Sequence, residues 1–383
     1  MLASRARGLY VSPPAEEYRC EGNVRADLAR AIAKLLGLFF FLYAFLVSIG
    51  LIGKAFKFFG KGVAETILTT TADPLVGLFA GVLATSIVQS SSTVTSFVVI
   101  LVGGGGLPIV SAIPIVMGAN IGTSVTSFIV SLGHITRRTE FQRAFAAATV
   151  HDFFNIIAVI VFFPLQYFTN FLGIAAEAMA EIFAGAGGLE FASPLQALTN
   201  PIIHFLVEIT GRRGWILIIL GFLLLAVSLR YIVVLLKSMV LERVERFFSR
   251  HIFRTAFRSF VLGIILTATV QSSSVTISIA IPLAGSGVLS LAQMFPYAMG
   301  ANIGTTVTGI LASLATGSPA AVAVAFAHLL FNIFGCVFIW PIRRLPILIA
   351  ETFSRFSAQR RWLPIVFILG VFFVVPLCVY LLR

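Results

Sequence analysis

Apolar residues fill most of this chain in long runs, which short polar segments separate. Three of these runs, residues 35–52, 216–234 and 365–382, carry few or no charges in their middles. They approach the roughly 20 residues that a helix needs to cross a bilayer. The composition agrees, because 58% of the residues are hydrophobic and 11% are charged, against about 25% charged in soluble domains. The pattern therefore predicts an all-α polytopic membrane protein.

Three polar strings each occur twice along the chain. They are VQSSS at 88–92 and 270–274, MGANIGT at 117–123 and 299–305, and HxxFN at 151–155 and 328–332. The first two pairs keep one constant offset, so the chain consists of two copies of a unit. Such a duplication is typical of membrane transporters in which the substrate site lies where the repeats meet.

Basic residues gather in clusters near 137–143, 237–258 and 343–361. An excess of lysine and arginine marks cytoplasmic loops, so we expect all three clusters on the cytoplasmic side. The spans that join them are predicted near 144–166, 214–236, 289–313 and 319–342. By this count the helix that contains HDFFN leaves the cytoplasm and the helix that contains HLLFN returns to it. The two repeats are therefore expected to have inverted topology.

The resulting division is a polar cytoplasmic tail over 1–30, a first repeat over 31–205 and a second over 206–383. We read no removable signal peptide, because no small-residue cleavage site follows Ile52. The net charge of +12 does not indicate nucleic acid, since the basic residues stand at the ends of apolar segments. We expect a multi-pass protein of the plasma (inner) membrane with the lipid bilayer as its partner. A homodimer is left open.

Glycine and proline interrupt the apolar stretches around each VQSSS string, with Pro74 and 103–106 in the first repeat and Gly263, Pro282 and Gly285 in the second. These stretches are better interpreted as re-entrant hairpins or broken helices than as plain spans. Non-helical backbone at membrane depth persists only where protein buries it or where it lines a cavity. The two segments therefore indicate a pathway through the membrane.

Hydroxyl and amide groups concentrate in these strings. Serine hydroxyls and free N–H groups at a helix start suit an oxyanion such as phosphate. Glutamine and threonine oxygens can replace the water shell of a small cation such as sodium. A lone serine in a span usually bonds its own backbone, but a QSSS string repeated in both halves favours ligand binding.

The NIGT strings add a second set of polar residues at helical spacing. This set comprises Asn120, Thr123 and Thr126 in one repeat and Asn302, Thr305 and Thr308 in the other. The spacing permits either a line of ligands or a polar seam between helices. The accompanying glycines are expected to allow close helix approach rather than to touch substrate. They are Gly118, Gly122, Gly300 and Gly304.

Asp152 is the only carboxylate in the middle of a predicted span, and its counterpart in the second repeat is Leu329. An acid inside the membrane is by default a candidate functional residue. Asp152 fits either a further cation or proton site, or an ion pair with His151 or Arg143. His328, alone on an apolar face, is expected to be a satisfied buried histidine.

The strings VQSSSTVTS, PIVMGANIGTSVTS, EFQRAFAAATVHDFFN, VQSSSV and MGANIGTTVTGILASLA resemble the type II sodium/phosphate cotransporter family over roughly residues 31–383. The resemblance implies a sodium-driven symporter that imports inorganic phosphate, built of two inverted repeats whose QSSS hairpins meet at a central site. The region 167–205 is short and cysteine-free, whereas animal members carry a long disulfide-bonded loop there. The chain therefore looks like a bacterial member. The segment 103–106 has no acidic residue, so it offers no additional cation site.

The resemblance also implies ligands, with sodium as a co-transported ion. Phosphate is expected at the serines of both strings, namely Ser90, Ser91, Ser92, Ser272, Ser273 and Ser274. One sodium is expected among Gln89, Ser92, Thr305 and Thr308. By the repeat symmetry, a second is expected among Gln271, Ser274, Thr123 and Thr126. Candidates for support are Asn120, Asn302 and Asp152.

Other functions share part of this pattern. Hydroxyl clusters alone leave open a sodium-coupled carrier of another oxyanion such as sulfate. A sodium- or anion-selective channel would have the same polar pathway. An intramembrane enzyme is disfavoured, because the sequence has no HExxH, no GxSxG and no paired intramembrane carboxylates.

Overall fold

A computed structural model of the protein describes residues 21–70, 73–187, 192–247 and 255–383. All regular structure in these ranges is helical. The helices are α1 (Glu21–Thr70), α2 (Pro74–Val88), α3 (Ser91–Gly103), α4 (Ile109–Gly122), α5 (Ser124–Leu132), α6 (Arg138–Thr169), α7 (Phe171–Gly185), α8 (Ala192–Ile209), α9 (Gly214–Phe247), α10 (Ala256–Val270), α11 (Ser273–Gly285), α12 (Leu291–Thr316), α13 (Pro319–Ile339), α14 (Arg344–Gln359), α15 (Leu363–Leu369) and α16 (Val375–Leu382). A π-helical turn, Gly370–Val374, joins the last two.

Seven segments within the described ranges are long and apolar enough to cross a membrane. They are Leu28–Phe56, Ile109–Leu132, Arg138–Thr169, Gly214–Met239, Leu291–Thr316, Pro319–Ile339 and Trp362–Leu382. Four of them coincide with the spans that the charge clusters predicted, and the all-α polytopic class is confirmed. Residues 1–20 of the predicted tail lie outside the described ranges, and 21–30 form the start of α1.

Each VQSSS string interrupts a helix rather than lying inside one. Helices α2 and α3 have 15 and 13 residues, as do α10 and α11. At 1.5 Å per residue each half is about 20 Å long, which is too short to cross a hydrocarbon core of about 30 Å. The predicted interruption is therefore confirmed. We call residues 89–90 the first break and residues 271–272 the second break.

Glycines bring the first half of each broken helix against the helix that carries the NIGT string. α2 packs along α4, and α10 packs along α12. A Cβ atom at Gly118 would overlap the carbonyl oxygen of Leu78, and one at Gly300 would overlap that of Phe260. At Gly122 a Cβ would lie 2.6 Å from the Val82 oxygen. Glycine is thus required for backbone contact at these seams, as the sequence predicted.

The second halves of the broken helices pack across the repeats. α3 contacts α12 and α13, whereas α11 contacts α5 and α6. Two further contacts have the same cross-repeat pattern, because α7 packs on α13 and α14 packs on α6. This reciprocity fits a duplicated unit and places both breaks inside the molecule. The inverted insertion of the two repeats and their boundaries stay predictions.

Candidate functional site

The two breaks have the same unusual backbone. Gln89 ends α2 at φ 58° and ψ 25°, and Gln271 ends α10 at φ 58° and ψ 27°. Their N–H groups donate to the carbonyls of Thr85 and Thr267. A residue other than glycine in this left-handed region costs about 1–3 kcal/mol, and such residues cluster at functional sites. The equal geometry shows that both QSSS strings form one kind of structure.

Directly after each glutamine, a serine caps the second half of the helix. Ser90 and Ser272 are extended, and their Oγ atoms accept hydrogen bonds from the N–H groups of Thr93 (3.2 Å) and Val275 (3.3 Å). The first N–H groups of a helix have no partner within it. Capping satisfies one of these donors, so others at the start of α3 and α11 remain available to an anion.

Side chains connect the breaks to each other and to the NIGT region. Ser92 Oγ donates to the Gln271 carbonyl oxygen at 3.1 Å, which joins the two repeats directly. Thr126 Oγ1 donates to Gln89 Oε1 at 2.8 Å, while Gln89 Nε2 donates to the Ser86 carbonyl oxygen. The Gln89 amide is therefore held at both ends, with its oxygen beside a threonine hydroxyl.

The second repeat lacks this threonine–glutamine bond. Thr308 is the counterpart of Thr126, and its buried hydroxyl has no hydrogen-bond partner among the described residues. Burying an unpaired hydroxyl costs about 1–3 kcal/mol. The free oxygen of Thr308 is thus a ready ligand for a cation.

A cavity of about 470 Å³ lies between the two breaks and α9. Seven predicted ligand residues line it, namely Gln89, Ser90, Ser92, Thr126, Gln271, Ser272 and Ser274. Thr93, Val88 and Val275 complete the walls formed by the broken helices. The α9 wall consists of Ala226, Leu229, Arg230, Val233 and Val234. The structure therefore brings the polar residues of both halves of the duplicated motif to one cavity.

Other predicted ligands lie outside this lining. Ser91 and Ser273 are buried. Thr123 and Thr305 donate at 3.0 Å to carbonyls of their own helices. Thr126 does line the cavity, where it bonds Gln89 of its own repeat, and its grouping with Gln271 around a second sodium stays a prediction. That grouping combined residues of different repeats around one ion, whereas the hydrogen bond between Thr126 and Gln89 forms within the first repeat.

A buried hydrogen-bond network crosses between the repeats beside the site. The Asn120 amide is paired at both ends, because His328 Nε2 lies 3.0 Å from its Oδ1 and its Nδ2 donates to Asn332 Oδ1 at 3.0 Å. In the other half, Asn302 repeats the arrangement, with His151 Nε2 at 2.7 Å from its Oδ1. Both asparagines are satisfied by protein, which favours the polar seam over the line of ligands at these two positions.

Asp152 is completely buried, and neither carboxylate oxygen has a hydrogen-bond partner among the described residues. Ser124 lies beside it with its own hydroxyl unpartnered. No ion pair joins Asp152 to Arg143 in the described part of the chain, and the His151 Nε2 atom bonds Asn302 instead. The ion-pair interpretation is therefore wrong. A buried carboxylate without a partner is expected to take a cation or a proton.

Arg230 is a candidate functional residue that none of the sequence motifs indicated. It is the one charged residue in the cavity lining among the residues that the structure describes, and it stands inside the apolar run 216–234. A lone arginine in a membrane span is a signal that could have identified it. Only the structure shows that it faces the two breaks.

A polytopic helical protein in which the polar breaks of two discontinuous helices meet at one cavity belongs, as a class, with the membrane transporters. The chain belongs to the Na+/Pi-cotransporter family, whose model matches residues 44–198 and 222–375. These two ranges contain the first and second breaks respectively. The family resemblance of the sequence motifs is thereby confirmed.

Named relatives lie in the same family. The chain is 32% identical to the human sodium-dependent phosphate transport protein 2B, over 92% of the chain and 65% of that relative. It is 32% identical to the rat sodium-dependent phosphate transport protein 2A, over 95% of the chain and 70% of that relative. The chain thus spans slightly less than two thirds of the length of the human protein. No solved structure matches the chain.

Proposed function

We propose that the chain is a sodium-coupled symporter that imports inorganic phosphate by alternating access. The cavity carries this proposal, because it joins the serines, glutamines and a threonine of both repeats in one space. The relatives at about 32% identity are sodium-dependent phosphate transport proteins by name, which supports the same substrates. We place it in the plasma membrane, as its likeness to a bacterial member of the family implies, with the basic clusters at the ends of its spans on the cytoplasmic face.

Phosphate is proposed to bind at the helix starts. The hydroxyls of Ser272 and Ser274 and the free N–H groups of α3 and α11 are neutral donors, and the Ser92 hydroxyl can join them once it leaves the Gln271 carbonyl oxygen. These neutral groups would bind an anion more weakly than charged groups, so the anion can also be released. The positive ends of two helix dipoles add to the attraction. Such a site binds and releases a tetrahedral oxyanion.

Sodium is proposed to bind at amide and hydroxyl oxygens of the cavity lining and at Thr308, which is buried outside that lining. Gln89 Oε1 and Thr126 Oγ1 form one pair of oxygens, 2.8 Å apart. Gln271 with the unpartnered hydroxyl of Thr308 is proposed as the second. Neutral oxygens replace the hydration shell of a small cation. Two sodium ions balance one doubly charged phosphate, so each species favours binding of the other, which is the origin of coupling.

Asp152 is proposed to hold a further cation. Its carboxylate and the hydroxyl of Ser124 are oxygen ligands of the kind that hard cations prefer. Both lack hydrogen-bond partners among the described residues, so a cation would satisfy them together. This site is separate from the cavity lining and would change the net charge that each cycle moves.

Alternating access is proposed to move the broken helices against α1 and α9. These two long helices pack along each other, and α9 contributes one wall of the cavity while the breaks contribute the other. A shift between the two walls would expose the cavity to one side and then the other. A channel would instead need a continuous path across the membrane, and the uptake experiment below distinguishes it from a symporter.

Uptake by the purified protein tests the proposal. Proteoliposomes are given radiolabelled phosphate with an inward sodium gradient or an equal potassium gradient. We expect accumulation above equilibrium with sodium only, and competition by arsenate, which has nearly the same shape and protonation. Sodium-independent flux to equilibrium would contradict coupling and favour a channel. Uptake of sulfate but not phosphate would assign another oxyanion.

A further inference from the structure

Arg230 stands out within the cavity because it is a charge among neutral groups. The lining otherwise consists of hydroxyl, amide and apolar side chains, and no carboxylate lines it in the described ranges. Arg230 has no ion pair or hydrogen bond with any described residue. An arginine in a membrane span normally faces a counter-charge or a water-filled path. Here Arg230 faces a cavity, but no carboxylate among the described residues lines that cavity.

Arg230 lies within the membrane-spanning part of α9, Gly214–Met239. It lies seven residues before Lys237, which corresponds to about 10 Å along the helix axis. It lies 16 residues after Gly214, or about 24 Å from the start of the helix. Arg230 is therefore inside the span, at the level of the two breaks whose residues share its cavity.

We propose that Arg230 is the anion-recruiting residue of the phosphate cavity, where its guanidinium faces the helix starts of α3 and α11 and sets the affinity for phosphate. This inference rests on the proposed function. A guanidinium is charged at every relevant pH and matches the oxygen geometry of phosphate. The serines and N–H groups then bind one side of the anion, and Arg230 approaches from the opposite wall.

Because Arg230 is on α9, its contact with phosphate depends on the conformation of the protein. Arg230 belongs to the long helix pair, whereas Ser92, Ser272 and Ser274 belong to the broken helices. Any movement between these two parts changes the distance from the guanidinium to the bound anion. Arg230 therefore gives phosphate a higher affinity for one conformation of the transport cycle than for the other. This difference in affinity shifts the equilibrium between the two conformations when phosphate binds.

The test compares three variants of the full chain in proteoliposomes. Arg230→Gln removes the charge, Arg230→Lys keeps it, and Lys237→Gln removes a charge from the same helix, two turns away and outside the cavity lining. We expect the half-saturating phosphate concentration to rise about tenfold in Arg230→Gln with little change in maximal uptake. The lysine variant keeps the charge but not the planar donor geometry, so it should recover part of the affinity, and Lys237→Gln should match the wild type.

Equilibrium binding of radiolabelled inorganic phosphate in sodium is measured on the same purified variants, so a variant that binds but does not transport is still informative. Wild-type phosphate affinity in Arg230→Gln would overturn the inference, as would equal loss in the glutamine and lysine variants. If the wild type itself shows no sodium-dependent phosphate uptake, the proposed function fails first. That outcome is distinct, because no variant is needed to observe it.

Discussion

Gln271→Ala and Gln89→Ala are each expected to lower sodium affinity and phosphate uptake together by about thirtyfold. Each variant removes an amide oxygen proposed as a sodium ligand. Losing an interaction with a charged group costs roughly 2 kcal/mol, which corresponds to about thirtyfold. Because sodium balances the charge of phosphate, the two affinities should fall together. Uptake is measured as a function of each ion in proteoliposomes.

The backbone of the glutamines requires a matched variant. Both residues have a φ of 58°, where alanine is strained and asparagine is tolerated. Gln271→Asn therefore keeps the backbone but withdraws the amide oxygen by about 1.5 Å, one carbon–carbon bond. It should lose sodium affinity without loss of folded protein. Thr269→Ala removes an exposed hydroxyl from the same helix and should behave as the wild type. Wild-type uptake in Gln89→Ala or Gln271→Ala would contradict the sodium assignment.

Asp152→Asn is expected to leave the protein folded and to reduce uptake about tenfold at low sodium. The carboxylate makes no ion pair with described residues, and the Ser124 hydroxyl is the polar side chain that interacts with it, so the fold loses little when it becomes a neutral amide of the same shape. A cation held there would lose its only charged ligand, worth roughly 1.5 kcal/mol. The steepness of the sodium dependence should also fall.

Thermal unfolding in sodium and in potassium distinguishes a cation-binding role of Asp152 from a structural role. A bound cation stabilises the folded state, and the stabilisation grows with the logarithm of its concentration above the dissociation constant. The extra stability that sodium gives should therefore be smaller in Asp152→Asn than in the wild type. Glu351→Gln, which changes an exposed carboxylate of α14, serves as the control. An unfolded Asp152→Asn variant would instead show that the carboxylate is structural.

Much of the architecture could be predicted from the sequence because it depends on local chemistry. Length and apolar composition determine which segments can span a bilayer, and α6, α9, α12 and α13 lie where the charge clusters placed spans. Glycine, proline and a serine that can cap a helix determine where a helix stops and restarts. The repeated QSSS strings therefore identified both breaks, and the glycines of the NIGT strings identified the close helix contacts.

The assignment of individual ligands could not be completed from the sequence. Asn120 and Thr123 look equally available at helical spacing, yet the first is paired across the repeats and the second bonds its own helix. Thr126 and Thr308 are counterparts, yet only Thr126 bonds a glutamine. Such differences arise because a side chain takes the partner that packing places nearest.

By itself the sequence determined the membrane class, the duplicated unit, the two breaks and the chemistry of their hydroxyl and amide groups. These features follow from residue type and spacing, which act over a few turns of helix. Only the tertiary structure decided that the two breaks share one cavity, that Arg230 completes it from α9 and that Asp152 has no ion-pair partner among the described residues. Each of these depends on contacts between segments more than 100 residues apart or on how neighbouring helices pack, and no local pattern encodes the distances between them.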